Sequence, residues 1–270
     1  MQYHAYTPSP PLSHFIERFW ACSDVPAHAR ERILPSGTIE LVVNLQDDEI
    51  RIGDSLAGER VARYSGAVVS GAYERFFVID PQQHASILGV HFRPGGAAPF
   101  LTIPPGEITG RHVTLDECWG RGGRELRERL CAAPTVRERF AILEQVLLQR
   151  LLLRPLHPSV ATALHAFREA TTVKEVVREV GLSHRRFAQL FTSAVGLTPK
   201  LFQRVTRFQH ARGLARASAA PDWPAIALAC GYFDQAHLHR DFLAFSGFAP
   251  AACLRRHSER VLPNHIPQVA

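Results

Sequence analysis

Long apolar runs are missing from the 270 residues. No window approaches the roughly 18 uninterrupted apolar residues that a membrane-spanning helix needs. Cysteine is sparse and awkwardly placed: the five residues at 22, 118, 131, 230 and 253 are an odd number without a CxxC pair. That argues against a disulfide framework or a zinc knuckle and for a reducing compartment. The opening MQYHAYTPSPPLSHF has neither a basic n-region nor an apolar h-region, so no signal peptide and a cytoplasmic location are expected. Also missing are a phosphate-binding glycine loop, a nucleophile–base pairing and a three-ligand His/carboxylate cluster at recognisable spacing. No enzyme, cofactor or metal is therefore expected.

Lysine is absent from the first 155 residues, and charge is distributed unevenly. Residues 1–155 hold 17 Arg against 18 Asp and Glu, a net of −1, whereas residues 156–270 hold 14 Lys and Arg against 7 Asp and Glu, a net of +7. Hydrophobic residues make up 46%, enough for a globular chain of two ordinary domains. A near-neutral half joined to a basic half is the outline of a sensing or assembly domain attached to a polyanion binder. The competing reading is a charge bias that only adds solubility.

Residues 1–115 read as β-rich. TIELVVNL (38–45), GAVVSGAYERFFVI (66–79) and ASILGVHFRP (85–94) are short runs heavy in Val, Ile and Phe, separated by LPSG, IDPQQ and RPGG. Such spacing predicts a barrel or sandwich. From 116 to 153 the chain turns helical. Thr135 and Glu138 form a capping-box signature, and Phe140, Leu143, Leu147 and Leu151 recur at helical spacing. That stripe packs on its own barrel or forms a dimer seam, so a homodimer is a candidate assembly. RPLHP (154–158) predicts a linker, everything from 159 to 257 reads as helix, and the tail 258–270 shows no periodicity and is expected to be loose. The expected fold class is α+β, a front β-barrel with two flanking helices and then an all-α domain.

The helical half repeats itself. EVVREVGLSHRRFAQLFTSAVGLTP (175–199) matches AIALACGYFDQAHLHRDFLAFSGFAP (225–250), with Gly181 on Gly231, Phe187 on Leu238, Phe191 on Phe242, Gly196 on Gly247 and Pro199 on Pro250. Each copy is a helix, a tight turn at glycine and a second helix with inward apolar residues at i and i+4, the anatomy of a helix-turn-helix. At about 100° per residue, inward Phe187 and Phe191 place Arg185 and Gln189 outward, flanked by Arg186, Ala188 and Thr192. Inward Leu238 and Phe242 place Ala236 and Arg240 outward, with Gln235, His237 and His239 alongside. Arginine and glutamine are the side chains that read guanine and adenine edges. A solvated polar face is commoner in any one helix, but here the arrangement occurs twice in the basic half.

The cluster of Cys230, His237 and His239 is not a metal site on this reading. Two residues on a helix subtend roughly 200°, so the histidines point apart, and Cys230 falls in the turn. Between the copies, Thr198 to Ala217 reads as one helix about 30 Å long, close to the 34 Å repeat of B-DNA. Lys200, Arg204, Arg207, Arg212 and Arg216 decorate it, while Ser183 and Asp222 stand where N-caps belong.

This half resembles the DNA-binding domain of AraC/XylS-type transcriptional regulators. IALACGYFDQAHLHRDFLAFSGFAPAACLR is close to that family's most recognisable stretch, and GLTPKLFQRVTRFQHA resembles the start of its linker helix. The resemblance implies a bacterial sequence-specific regulator with two reading helices in one chain and double-stranded DNA as partner. RNA polymerase would be a further partner if it activates. It implies base contacts at Arg185, Ala188, Gln189, Gln235, Ala236, His237, His239 and Arg240. Ala188 departs from the usual polar residue and offers only a methyl contact, for example to thymine, and Ala236 is smaller than the family's common residue, which weakens the base contact implied there. Ser183, Arg186, Thr192, Lys200 and Arg204 are candidate phosphate contacts.

The front half resembles the cupin-like sensing and dimerisation domain of many such regulators, without a cupin metal motif: His91 stands alone. Tyr64, Tyr73, Phe77, His91 and Arg93, with Phe76, are candidates for a small-molecule effector site, with core packing as the competing reading for each. The alternative function is a metal-dependent barrel enzyme with a DNA-binding appendage, which stoichiometric metal in the purified protein would favour.

Overall fold

The computed structural model describes residues 2–23, 30–53, 61–80, 85–152, 156–169, 171–256 and 264–268. Among the described residues the front half has ten short strands. They are β1 (Gln2–Tyr6), β2 (Ile16–Ser23), β3 (Arg30–Ile33), β4 (Glu40–Asn44), β5 (Glu49–Gly53), β6 (Val61–Ser65), β7 (Ala67–Ser70), β8 (Phe77–Ile79), β9 (Ser86–Phe92) and β10 (His112–Thr114). Three helices follow: α1 (Leu115–Trp119), α2 (Arg121–Ala132) and α3 (Val136–Arg150). The helical half contains α4 (Pro158–Ala166), α5 (Val173–Val180), α6 (His184–Val195), α7 (Pro199–Arg216), α8 (Trp223–Ala229), α9 (Gln235–Ser246) and α10 (Pro250–Arg256). A last strand, β11 (His265–Gln268), returns to the front half.

The strands do not close into the expected barrel. They form two open antiparallel sheets, β1-β2-β9-β4-β7-β10 and β11-β3-β8-β5-β6. The larger sheet buries Phe19, Leu41, Val43, Val69, Leu88, Val90 and Phe92 on one face. Because side chains alternate along a strand, its other face carries Trp20, Val42, Val68 and Ile87, which look across a cavity to the second sheet. The helices lie on the first face. Phe140, Leu143, Val146 and Leu147 of α3 are buried there, and the Phe140 ring packs 6.0 Å from Tyr6 and 6.1 Å from Phe19. The stripe that offered a dimer seam is thus covered from within. Thr135 and Glu138 form the capping box that starts the helix.

Two more expectations are revised. Of the linker at 154–158, residues 154–155 lie outside the described residues, and Pro158 already opens α4. Of the loose tail at 258–270, residues 258–263 and 269–270 lie outside them too, but 264–268 are not loose. β11 pairs in register with β3, Ile266 is buried, and His265 Nδ1 lies 2.6 Å from the buried Glu31 carboxylate.

The apolar core does not end at the boundary between halves. One cluster runs from Leu41 and Phe92 through Val160 and Phe202 to Phe242 and Phe245. Polar ties cross the same seam: Gln209 donates to the Pro35 carbonyl at 2.6 Å, and Arg32 donates to the Ser246 carbonyl at 2.8 Å. The Arg32 guanidinium also lies between the rings of Phe76 and Phe248, 4.3 and 4.0 Å from their centroids. Within the helical half, Phe208 of α7 meets Phe242 and Phe245 of α9 at 5.0 and 5.3 Å. Removing such a ring costs both transfer energy and a cavity. Phe242→Ala should therefore lower the unfolding free energy by about 3–5 kcal/mol, read as a shift of the denaturant midpoint.

Candidate nucleic-acid interface and sensing cavity

The internal repeat becomes two helix-turn-helix units of matching construction. α5 and α8 each end in a turn whose glycine, Gly181 or Gly231, has φ of 67° or 72°. That left-handed region is strained for a residue with a Cβ, which accounts for glycine at both places. The second helix of each unit then starts on a side-chain cap. Ser183 accepts from the Arg186 N–H at 3.3 Å, and Asp234 accepts from the His237 N–H at 2.6 Å. Phe187 and Phe191 in α6, and Leu238 and Phe242 in α9, are fully buried. The faces opposite are the expected ones. Arg185, Arg186 and Gln189 are exposed on α6, with Ala188 and Thr192 half-buried. Gln235, Ala236, His239 and Arg240 are exposed on α9.

The two histidines do diverge. His237 is turned inward, its ring edge-on to the buried Tyr232 at 5.1 Å, whereas His239 stays exposed. Among the described residues no three His, Cys, Asp or Glu are placed to hold a metal ion. α7 spans 18 residues, about 27 Å at 1.5 Å per residue, with Thr198 as N-cap.

Several α7 side chains turn inward. Arg204 donates through Nε and Nη2 to one oxygen of Asp241, at 3.1 and 2.7 Å. Asp241 is almost wholly buried, so this pair ties α7 to α9. The guanidinium assigned to phosphate by sequence is held by a carboxylate inside the domain. Arg207 donates to the Gly231 carbonyl at 3.2 Å and stacks over Tyr232. Arg212 is buried, its pKa lowered to about 10 by desolvation, and it donates to the Asn264 side chain at 2.8 Å. Lys200 and Arg216 remain exposed.

A cavity of about 100 Å³ lies between the two front sheets. Its floor is ordered by strand register. Arg18, His91, Glu40, Ser70 and His112 are successive cross-strand partners over five strands, forming one polar row. The next row is Trp20, Gly89, Val42 and Val68. A Cβ on Gly89 would come within 2.5 Å of the Trp20 indole, so the indole lies over the place that a side chain at 89 would fill. Facing residues from the other sheet include Ile33, Ile50, Ile52, Phe77, Ile79 and His265.

Of the five effector candidates, Tyr73 and Phe77 line this cavity. The Tyr73 hydroxyl bonds to His112 Nδ1, and burial followed by the neighbouring Tyr64 pushes its pKa up. Tyr64 contributes only indirectly, with its ring 5.7 Å from His112. His91 is buried in the polar row between the Thr38 hydroxyl at 3.3 Å and Glu40 at 2.5 Å. Arg93 points away and donates to the Ser13 carbonyl at 2.8 Å. Sequence reasoning missed Arg18, Trp20, Glu40, His112 and His265, which only the register brings together.

Comparisons with known proteins follow this division. Residues 176–256 match a family described as a helix-turn-helix domain, and residues 4–114 match a domain of unknown function, DUF6597. Curated proteins contain no match. Among solved structures, apo ToxT from Vibrio cholerae is similar with a TM-score of 0.48 at 10% identity, over 88% of this chain and 97% of that one. The unsaturated fatty acid-bound form of ToxT gives 0.47 at 10% identity, over 87% and 94%. A probable AraC family transcriptional regulator from Rhodopseudomonas palustris gives 0.33 at 25% identity, over 37% of this chain and 97% of its own.

The Glu40–His91 contact makes a pH prediction. Burial by itself would raise the Glu40 carboxyl, but the hydrogen bond and charge of His91 outweigh it and hold the group below its ordinary 4.5. A lowered carboxylate pKa contributes stability that is present above the ordinary value and lost as pH falls through the folded one. The melting temperature should drop more steeply between about pH 5 and pH 3 than that of Glu40→Gln, as followed by circular dichroism.

Proposed function

We propose that this chain is a DNA-binding transcription regulator, that its helix-turn-helix half, matched over residues 176–256, is of the AraC/XylS type, and that α6 and α9 read bases in successive major grooves. The carrying observation is the doubled unit itself: two equivalent helices, each with a buried apolar face and an exposed polar face, on one rigid spacer. Arg185 and Gln189 are the readers on α6, and Gln235, His239 and Arg240 those on α9. Ala188 and Ala236 provide methyl contacts of the kind thymine offers. His237 supports α9 through Tyr232 and contributes less directly. Phosphate contacts fall to Ser183, Arg186, Thr192 and Lys200. Arg204 is a structural partner of Asp241 in this reading.

We further propose that the inter-sheet cavity takes the effector. Its volume is of the order of an engineered 150 Å³ cavity that admits benzene. The Trp20 indole and the adjoining polar row suit a planar, single-ring molecule with a hydrogen-bonding edge. Such a ligand at 100 times its dissociation constant should raise the unfolding free energy by about 2.7 kcal/mol, seen as a higher melting temperature. Trp20→Ala should abolish that rise.

The reading of DNA is tested on genomic fragments selected by the purified protein at two salt concentrations. Arg185→Ala and Arg240→Ala should each cost about 1–3 kcal/mol at a selected site and relax its sequence preference. Lys200→Ala should weaken binding evenly across sequences and lower the salt slope by about one. Unchanged preference in both arginine variants would sink the assignment.

A further inference from the structure

The front half lies against one of the two reading helices. A 3-10 turn, Pro105–Ile108, packs on α6 near its C-terminal end. A Cβ on Gly106 would come within 2.9 Å of the Thr192 carbonyl oxygen and 3.2 Å of the Ser193 Cα. Three residues on, the Thr109 hydroxyl donates to the Gly196 carbonyl. A Cβ on Gly196 would also meet the Pro105 carbonyl oxygen at 3.3 Å. The two backbones are therefore in direct contact. The cleft between them is lined by Glu107 from the turn and by Arg185, Ala188, Gln189 and Thr192 from α6. An exposed carboxylate thus shares a cleft with the residues assigned to DNA on the first unit.

Groove dimensions make this contact consequential. The B-DNA major groove is about 12 Å wide, and an α-helix with its side chains is about 10–12 Å across. A groove that admits α6 has no room for a second backbone segment at van der Waals distance from it. Thr192, one turn beyond Ala188 and Gln189, is where a phosphate strand would pass, and the turn occupies that place. Glu107 adds a negative charge that repels the same phosphates.

We infer that the Pro104–Thr109 turn is an intramolecular mask on the first reading helix, lifted when the front half shifts off α6. The inference rests on the reading of α6 as a DNA-binding helix. At the second unit the front half reaches the C-terminal end of α9 through the Arg32 and Phe76 side chains, not through this turn. The mask explains why glycine stands at 106: its backbone is outside the left-handed region, and only close approach to α6 requires the missing side chain.

The test uses the full chain and DNA fragments selected by the unaltered protein, with affinity read by fluorescence anisotropy. Gly106→Ile drives a wedge between turn and helix without backbone strain. It should keep the far-UV circular dichroism spectrum and bind DNA about five-fold more tightly or better, within the usual range of coupling between sites. The gain should vanish in a chain that also carries Arg185→Ala and Gln189→Ala. A folded Gly106→Ile protein with unchanged or weaker binding overturns the mask. Where that variant does not fold, Glu107→Lys decides: it must raise affinity more than Glu128→Lys on α2, and an equal effect overturns the mask. If neither the unaltered protein nor any variant selects discrete sites, the DNA-reading assignment of α6 falls first and removes the premise.

Discussion

The continuity of the apolar core across the two halves is the constraint on which the rest of the molecule depends. Val205 and Phe208 of α7 are fully buried, and the rings that reach them belong to the same cluster as the Leu41 and Phe92 face of the front sheet. A Cβ on Gly37 would touch Phe202 at 3.4 Å and Val205 at 3.5 Å, so the front half meets α7 at backbone range. The spacer that sets the distance between α6 and α9 is therefore also a wall of the interface. Anything that shifts the front half acts on the element that spaces the reading helices.

Polar groups pin this contact where apolar packing alone would let surfaces slide. Gln209 on Pro35, Arg212 on Asn264 and Arg32 on Ser246 each join a side chain to a group far away in sequence. Arg212 is the most constrained of these. A guanidinium whose pKa is depressed by desolvation has lost much of its water, and a buried charge without compensation is costly. The Asn264 side chain accepts one hydrogen bond from Arg212, and Asn264 sits at the start of the returning strand that also brings His265 to the cavity wall. One short segment of tail therefore touches the cavity, the smaller sheet and α7 together.

How much of this the amino-acid order discloses depends on the range of the interaction. Local rules act within a few residues, and they are readable: Ser183 and Asp222 cap helices, Thr135 boxes with Glu138, and the i, i+4 pairs of each unit are buried. The doubled unit is legible for the same reason, since each copy folds on its own short-range pattern. The cavity floor is not. Arg18, Glu40, Ser70 and His112 lie on four strands, and a slip of one residue in any register would turn its side chain to the other face. β11 was hidden because its stretch, with Pro267 in it, has no alternation, and its partner strand lies over 230 residues away. The pairing of Arg204 with Asp241 was not legible either, because the two residues lie on different helices 37 positions apart.

α6 and α9 are equal in construction and unequal in surroundings, and on the proposed reading that asymmetry would shape how the protein meets DNA. With the turn set against α6 as proposed, a first encounter made through one helix would engage few phosphates. Its affinity is then mostly electrostatic, weak and salt-labile. Selectivity over a long site needs both helices, because each base contact adds only about 1–3 kcal/mol. Uncovering α6 therefore changes discrimination between sequences more than it changes binding to DNA in general.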